Sequence, residues 1–286
     1  MSLATVGRAE AWPPAGLAPT VGRMFEREDR THRCYVDAHG PDDDAVKLAL
    51  AWAVRHAGEH GQRRVMLFTA TLSQVDSLAN VLGLNPARLR KNKTFSLGGA
   101  TVDVVTERHA STRRPDGPVV GLWVDDRQIE KRLDGLDAPA LCVVPWNRAD
   151  IDQWKTNWNP TDLRTGEAAE QLTTIGNPVV EAAMRSLTMA VNLSTGLSHP
   201  SDKEAAVQTF RLLRDAGEGF QPSEVQAWAV RNGWRPRHAR ELAEVAQAII
   251  DRRPIRGGRQ RWRKDIVAYW REEARSGDAA KDESDG

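Results

Sequence analysis

Short apolar runs alternate with helical segments over roughly the first 160 residues, and this alternation constrains the fold more than any other feature. The β-like runs lie at 34–36, at 65–68, at 94–107 as a hairpin, at 119–124 and at 140–144. Helical segments are predicted between them, at 42–60, from 71 to about 82, and at 127–133. Strands that alternate with helices favour a mostly parallel sheet covered on both faces. The sequence therefore predicts an α/β, Rossmann-like sheet domain.

The second part of the chain has a different pattern, because no β-like run follows Asn159-Pro160. Five helices are predicted there, at 177–193, 201–216, 222–232, 235–251 and 259–275. The predicted organisation is a loosely ordered N-terminal arm over 1–30, the sheet domain over 31–165, an all-α domain over 166–275 and a disordered tail over 276–286. Trp154 and Trp158, four residues apart, are predicted to pack at the boundary between the two domains.

Composition narrows the class of protein but does not identify a function. The net charge is +1, so any charged surface must come from local clustering rather than from the whole chain. Cys34 and Cys142 each lie inside an apolar run and are predicted to be buried core residues, not a disulfide or a thiolate metal site. The sequence shows no charged-then-apolar leader and no uninterrupted apolar stretch of about 18 residues. We therefore expect a cytoplasmic protein with no membrane partner.

The segment Asp37-Ala38-His39-Gly40-Pro41-Asp42-Asp43-Asp44 places acidic residues and a histidine between the first strand and its helix, where α/β sheets bind ligands. It resembles the strand-end motif of nucleoside hydrolases, whose aspartates hold a calcium ion that activates water. Asp37, Asp43 and Asp44 align with that motif, and His39 stands where the family has an aspartate. With a shift of one residue, His39, Asp42 and Asp44 resemble the first motif of manganese-binding phosphoesterases. Later motifs of neither family are found in this sequence.

These resemblances imply a divalent cation as cofactor and a metal-dependent hydrolase of a nucleoside or phosphoester. The implied metal ligands are Asp37, Asp43, Asp44 and, from the Asp125-Asp126 pair after the fourth β-like run, Asp126. His39 and Asp44 are the candidates for catalytic acid or base. The alternative is structural, because aspartates at a helix start are favoured by capping and by the helix dipole alone. Whether the protein is an enzyme therefore stays open.

Seven basic residues and no acidic residue occur between positions 252 and 264. The predicted nucleic-acid contacts are Arg252, Arg253, Arg256, Arg259, Arg261, Trp262, Arg263 and Lys264. Arginines clustered with an aromatic side chain are typical of a surface that contacts phosphates. Just upstream, the two helices predicted over 222–232 and 235–251 resemble a helix-turn-helix. The alternatives for this basic segment are an acidic protein partner and a solvated face without a partner.

The basic segment supports the leading hypothesis, an accessory or regulatory protein that binds an anionic partner, nucleic acid, through its Arg-rich helical domain. The α/β domain would then serve as a scaffold or a ligand sensor. The metal-dependent hydrolase is the first alternative, and a protein-interaction module is the second.

Overall fold

The computed structural model describes residues 31–109, 115–169, 175–257 and 261–282, so the expected arm over 1–30 lies outside the described residues. Within them, seven strands form one sheet in the order β3-β4-β2-β5-β6-β1-β7. The strands are β1 (His32–Tyr35), β2 (Arg64–Thr69), β3 (Thr94–Leu97), β4 (Ala100–Thr106), β5 (Val119–Leu122), β6 (Ala140–Val144) and β7 (Thr161–Asp162). Neighbouring strands pair in parallel, except for the predicted hairpin of β3 and β4.

Helices cover both faces of this sheet. They are α1 (Asp43–Glu59), α2 (Leu72–Val81), α3 (Pro86–Asn92), α4 (Asp126–Gln128), which continues as a π-helical turn (Ile129–Leu133), and α5 (Asp152–Trp158). One hydrophobic cluster joins α1, α2 and α3 to one face, and a second joins the π-helical turn and α5 to the other. Because β5 and β6 lie between these two layers, every residue of both strands is buried.

Gly121 in β5 allows the second layer to approach the sheet closely. A Cβ atom at this position would lie 2.6 Å from Cδ1 of Leu133, at the end of the π-helical turn. The missing side chain therefore sets the distance between this turn and the sheet.

Five helices with a separate hydrophobic cluster follow the sheet. They are α6 (Pro178–Ala190), α7 (Pro200–Asp215), α8 (Pro222–Arg231), α9 (Pro236–Ile250) and α10 (Ile266–Asp282). Each of the first four begins with proline at or next to its first position, where a missing N–H group costs no hydrogen bond. The Asn177 side chain caps α6 by accepting from the N–H of Val179. A mostly parallel α/β sheet followed by a helical part is therefore confirmed.

Four details differ from the sequence-based expectations. Helix α10 begins at Ile266 and not at 259, and it continues to Asp282 although a disordered tail was expected from 276. Residues 283–286 lie outside the described residues. Helix α3 was not predicted. The short strand β7, which follows Asn159 in the chain and pairs with β1, was not predicted either. The domain boundary near 165 stays a prediction.

Candidate anion-binding interface

The basic segment after α9 is fixed to α7 by hydrogen bonds to its backbone. The Arg211 guanidinium donates to the carbonyl oxygens of Ile255 and Gly257, both at 3.0 Å. One turn earlier on α7, Oε1 of Gln208 accepts from the N–H groups of Arg261 at 2.5 Å and of Trp262 at 3.1 Å. The two stretches of the segment at 255–257 and 261–262 are therefore held on one face of α7.

Trp262 anchors the segment to the helical core. Its Nε1 donates to Oγ1 of Thr209 at 2.9 Å, and its ring meets the buried Trp270 ring edge-on, with centroids 6.0 Å apart. The indole ring is half-buried and packs against the core of the helical part. This contact holds the basic side chains on either side of Trp262 at the surface.

The basic side chains of the segment are exposed to solvent. They are Arg252, Arg253, Arg256, Arg261, Arg263 and Lys264; the predicted contact Arg259 lies outside the described residues. Arg253 pairs with Asp251 at 3.2 Å, and Arg263 pairs with Asp265 at 3.1 Å. No ion pair to a described residue is seen for the other four. The segment therefore keeps most of its positive charge available to a ligand.

Four arginines surround a shallow cavity of about 410 Å³ beside this segment. Its lining is Arg211, Arg214, Asp215, Ile249, Arg252 and Arg253. Sequence reasoning missed Arg211 and Arg214, although their spacing of three on a predicted helix puts them on one face. Their convergence with Arg252 and Arg253 needed the packing of α7 against α9. Arg214 pairs with Asp215 and Arg253 pairs with Asp251. The four guanidinium groups still outnumber these two carboxylates, so the cavity is suited to anionic oxygens.

The helix pair that resembles a helix-turn-helix does not present a free second helix. Most of α9 is buried in the helical part. On its exposed face, Arg237 pairs with Glu241 at 3.1 Å, and Arg240 lies 3.4 Å from Glu130 of the sheet part. A recognition helix needs an accessible face that can enter the major groove. Helix α9 instead packs in the helical part and contacts the sheet part through Arg240.

Two aspartates of the acidic turn between β1 and α1 already have hydrogen-bond or ion-pair partners within the protein. Asp42 caps α1 by accepting from the N–H of Ala45 at 2.8 Å, and it pairs with Arg164 at 2.5 Å. The hydrogen bond from Ala45, with help from Arg164, lowers the pKa of the Asp42 carboxyl group. Asp37 pairs with Arg148 at 3.1 Å. The other three candidates of this turn, His39, Asp43 and Asp44, are exposed.

Asp126 lies behind the carboxyl end of β5 and has a structural role there. Its carboxylate accepts from the N–H groups of Gln153 at 3.2 Å and Trp154 at 2.7 Å, at the start of α5. Burial raises the pKa of this carboxyl group to about 6. Among the residues that the structure describes, no group of three or more His, Cys, Asp or Glu side chains could hold a metal ion. The arrangement thus gives no support to a cation site formed by Asp37, Asp43, Asp44 and Asp126.

The comparisons with known proteins concern the helical part. A family described as a domain of unknown function, DUF1889, matches residues 176–271, which span α6 to the first turn of α10 and include the whole basic segment. No curated protein and no solved structure matches the chain. In the described part of the chain, no helix has the length and apolar character needed to cross a membrane. The chain is therefore similar to this family over the region that carries the candidate interface.

Proposed function

We propose that the protein binds an anionic partner, nucleic acid, through the surface formed by α7 and the basic segment. The observation that carries this proposal is the cavity lined by four arginines, continuous with exposed basic side chains. The net charge of the whole chain is only +1, whereas residues 252–264 carry seven basic residues and no acidic one. Such a local field attracts phosphates and releases their counterions on binding.

The ordering of the segment strengthens the proposal. Arg211 and Gln208 hold its backbone, so the arginines lose little conformational freedom when a ligand binds. In this proposal the Rossmann-like sheet part is a scaffold or a ligand sensor, and the cytoplasm is the expected location. No observation favours a hydrolase function for the acidic turn.

A salt titration tests the proposed function. Fluorescence anisotropy of labelled oligonucleotides would be followed from low to physiological salt, with the full chain and with a triple variant, Arg252→Ala, Arg256→Ala and Arg261→Ala. For the parent protein, the logarithm of the association constant should fall linearly with log salt, and each lost phosphate contact should reduce the slope by about 0.7 to 0.9. Arg55→Ala is the control, because Arg55 is an exposed arginine of α1 in the sheet part.

Two outcomes contradict this proposal. One is the absence of oligonucleotide binding even at low salt. The other is tighter binding of an acidic peptide such as polyglutamate, which would assign the surface to a protein partner.

A further inference from the structure

An exposed aromatic ring lies where the basic segment leads into α10. The Tyr269 side chain is 44% exposed, and the Arg263 guanidinium carbon lies 4.9 Å from the centroid of its ring. This contact with Arg263 orients a ring that remains open to solvent. A fixed and exposed aromatic ring next to cationic side chains is a platform on which a planar group can stack.

Two of the acidic groups close to Tyr269 are engaged by arginines, and a third, Glu272, is exposed to solvent. Asp265 pairs with Arg263, and Glu273 lies 3.8 Å from Arg185 of α6. Because these ion pairs offset the carboxylate charges, an anionic strand can approach the ring along the basic segment.

The basic segment runs along α7 from the four-arginine cavity toward the start of α10. Arg214, Arg211 and Gln208 succeed one another at intervals of three residues, and Gln208 holds the backbone just before Arg263. Six residues of α-helix span about 9 Å. The cavity and the part of the segment that leads into α10 are therefore held along the same helix.

Reading the base sequence of a duplex needs a different kind of surface. Reading a duplex in its major groove requires a protruding helix or β-ribbon. Helix α9, the helix that the sequence suggested for this role, is mostly buried and carries Glu241 and Glu244 on its accessible side. The basic segment lies flat on α7 instead. This surface offers phosphate contacts and a stacking ring, which are the two elements of single-strand binding.

We infer that the interface is specific for single-stranded nucleic acid, with one base stacked on Tyr269 and neighbouring phosphates bound by the exposed basic side chains of the segment. This inference rests on the proposed function and adds the form of nucleic acid that the surface accepts. Base stacking accounts for the preference, and the arginines supply an affinity that does not depend on sequence.

The test compares three probes of equal length, roughly 12 nucleotides: a labelled single strand, the same strand in a duplex, and a strand that keeps its sugar-phosphate backbone but lacks bases. The full chain should bind the single strand more tightly than the other two. Tyr269→Leu should weaken binding of the single strand by about 5-fold or more, the lower end of measured stacking contributions. It should leave binding of the base-free strand unchanged. Tyr269→Phe keeps the ring and should retain the affinity of the parent.

The outcomes separate this inference from the proposed function. Duplex binding as tight as single-strand binding, or a base-free strand bound as tightly as the normal strand, overturns the single-strand inference and leaves the proposed function intact. A Tyr269→Leu variant that binds the single strand like the parent also overturns it. If none of the probes binds at low salt, the proposed function itself fails. The base-free strand tests stacking with the parent protein, so the result does not depend on the folding of a variant.

Discussion

Asp134 is a buried carboxylate that ties the sheet to the tryptophans of α5. Its two oxygens accept from Nε1 of Trp154 and Nε1 of Trp158, each at 3.2 Å, and Nε of Arg33 lies 3.8 Å away. The Arg33 guanidinium also stacks on the Trp158 ring, 3.6 Å from its centroid. The two tryptophans were predicted to pack at the domain boundary from their spacing and from the closeness of that boundary in the sequence. The carboxylate that orients them was not predicted, because Asp134 is brought to them only by the fold.

Replacing Asp134 by alanine should destabilise the protein strongly. The change removes the acceptor of two indole N–H groups and a buried carboxylate that lies 3.8 Å from Nε of the nearly buried Arg33. Removing one partner of a buried ion pair costs about 3 to 5 kcal/mol of unfolding free energy. Urea unfolding measures this loss. Asp44→Ala is the control, because the Asp44 side chain is 94% exposed and its loss should change stability by less than about 0.5 kcal/mol. Equal effects of the two substitutions would contradict the assigned role of Asp134.

His56 should make stability depend on pH. Its side chain is buried, and desolvation, the neighbouring His60 and His32 lower its pKa, while Glu59 opposes the shift. Because its pKa in the folded state lies below its value of about 6.5 in the unfolded chain, the unfolded state binds more protons. The stability due to neutral His56 is therefore fully present above about pH 6.5 and is lost as the pH falls through the folded pKa.

The measurement is urea unfolding at about pH 7.5 and about pH 5.5, with the parent and with His56→Phe. The parent should lose more stability than the variant between these two values, since phenylalanine does not titrate. The contribution of Asp126 to stability changes with pH in the opposite direction, because burial raises the pKa of its carboxyl group to about 6. The difference between parent and variant isolates the imidazole of His56. The same loss of stability in both proteins would show that His56 does not contribute.

At the scale of single elements, local patterns predicted most of the sheet part. The apolar runs located β1, β2, β5 and β6, and the acidic start located α1. Helix α3 was missed although Asn85-Pro86 has the same cap and proline that located α6 at Asn177-Pro178. The start of α10 was misplaced for another reason. The backbone N–H groups of Arg261 and Trp262 donate to the Gln208 side chain of α7, and a contact between residues so far apart in the chain is invisible in a local sequence pattern.

Arg211 should control the order of the basic segment. Arg211→Ala removes the two hydrogen bonds to Ile255 and Gly257, so the segment should open more often. Limited trypsin digestion followed by mass spectrometry should then show faster cleavage at Arg256. Arg214→Ala is a matched control on the same face of α7, since its ion pair is to the adjacent Asp215. Equal cleavage rates in the two variants would mean that other contacts hold the segment.

At the scale of the whole molecule, the sequence predicted the order of the two parts and not the way they join. The basic segment was recognised from its charge, but the arginines of α7 that complete the cavity were not. The acidic turn suggested a metal site, whereas its aspartates engage Arg148, Arg164 and the helix start. In each case the partner comes from a distant part of the sequence. Such pairings depend on how α7, α9 and the sheet pack together, which no local pattern specifies.

Arg231 of α8 links the helical part to the sheet part. Its guanidinium donates to the carbonyl oxygens of Thr156 at 2.7 Å and Asn157 at 3.2 Å, which are free acceptors at the end of α5. Burial lowers the pKa of Arg231. A second bridge links Arg240 to Glu130. Since these contacts cross between two separate hydrophobic clusters, they couple the unfolding of the two parts.

Arg231→Met should weaken this coupling, because the methionine side chain fills similar space but donates no hydrogen bond to α5. Thermal unfolding followed by tryptophan fluorescence and by circular dichroism should give coincident transitions for the parent. For the variant the two transitions should separate, since most of the two cores remains intact while the bridge between them is lost. Arg237→Met is the control, because Arg237 pairs with Glu241 inside its own helix. If the two transitions still coincide in Arg231→Met, the remaining interface alone couples the two parts, and Arg231 serves only to cap α5.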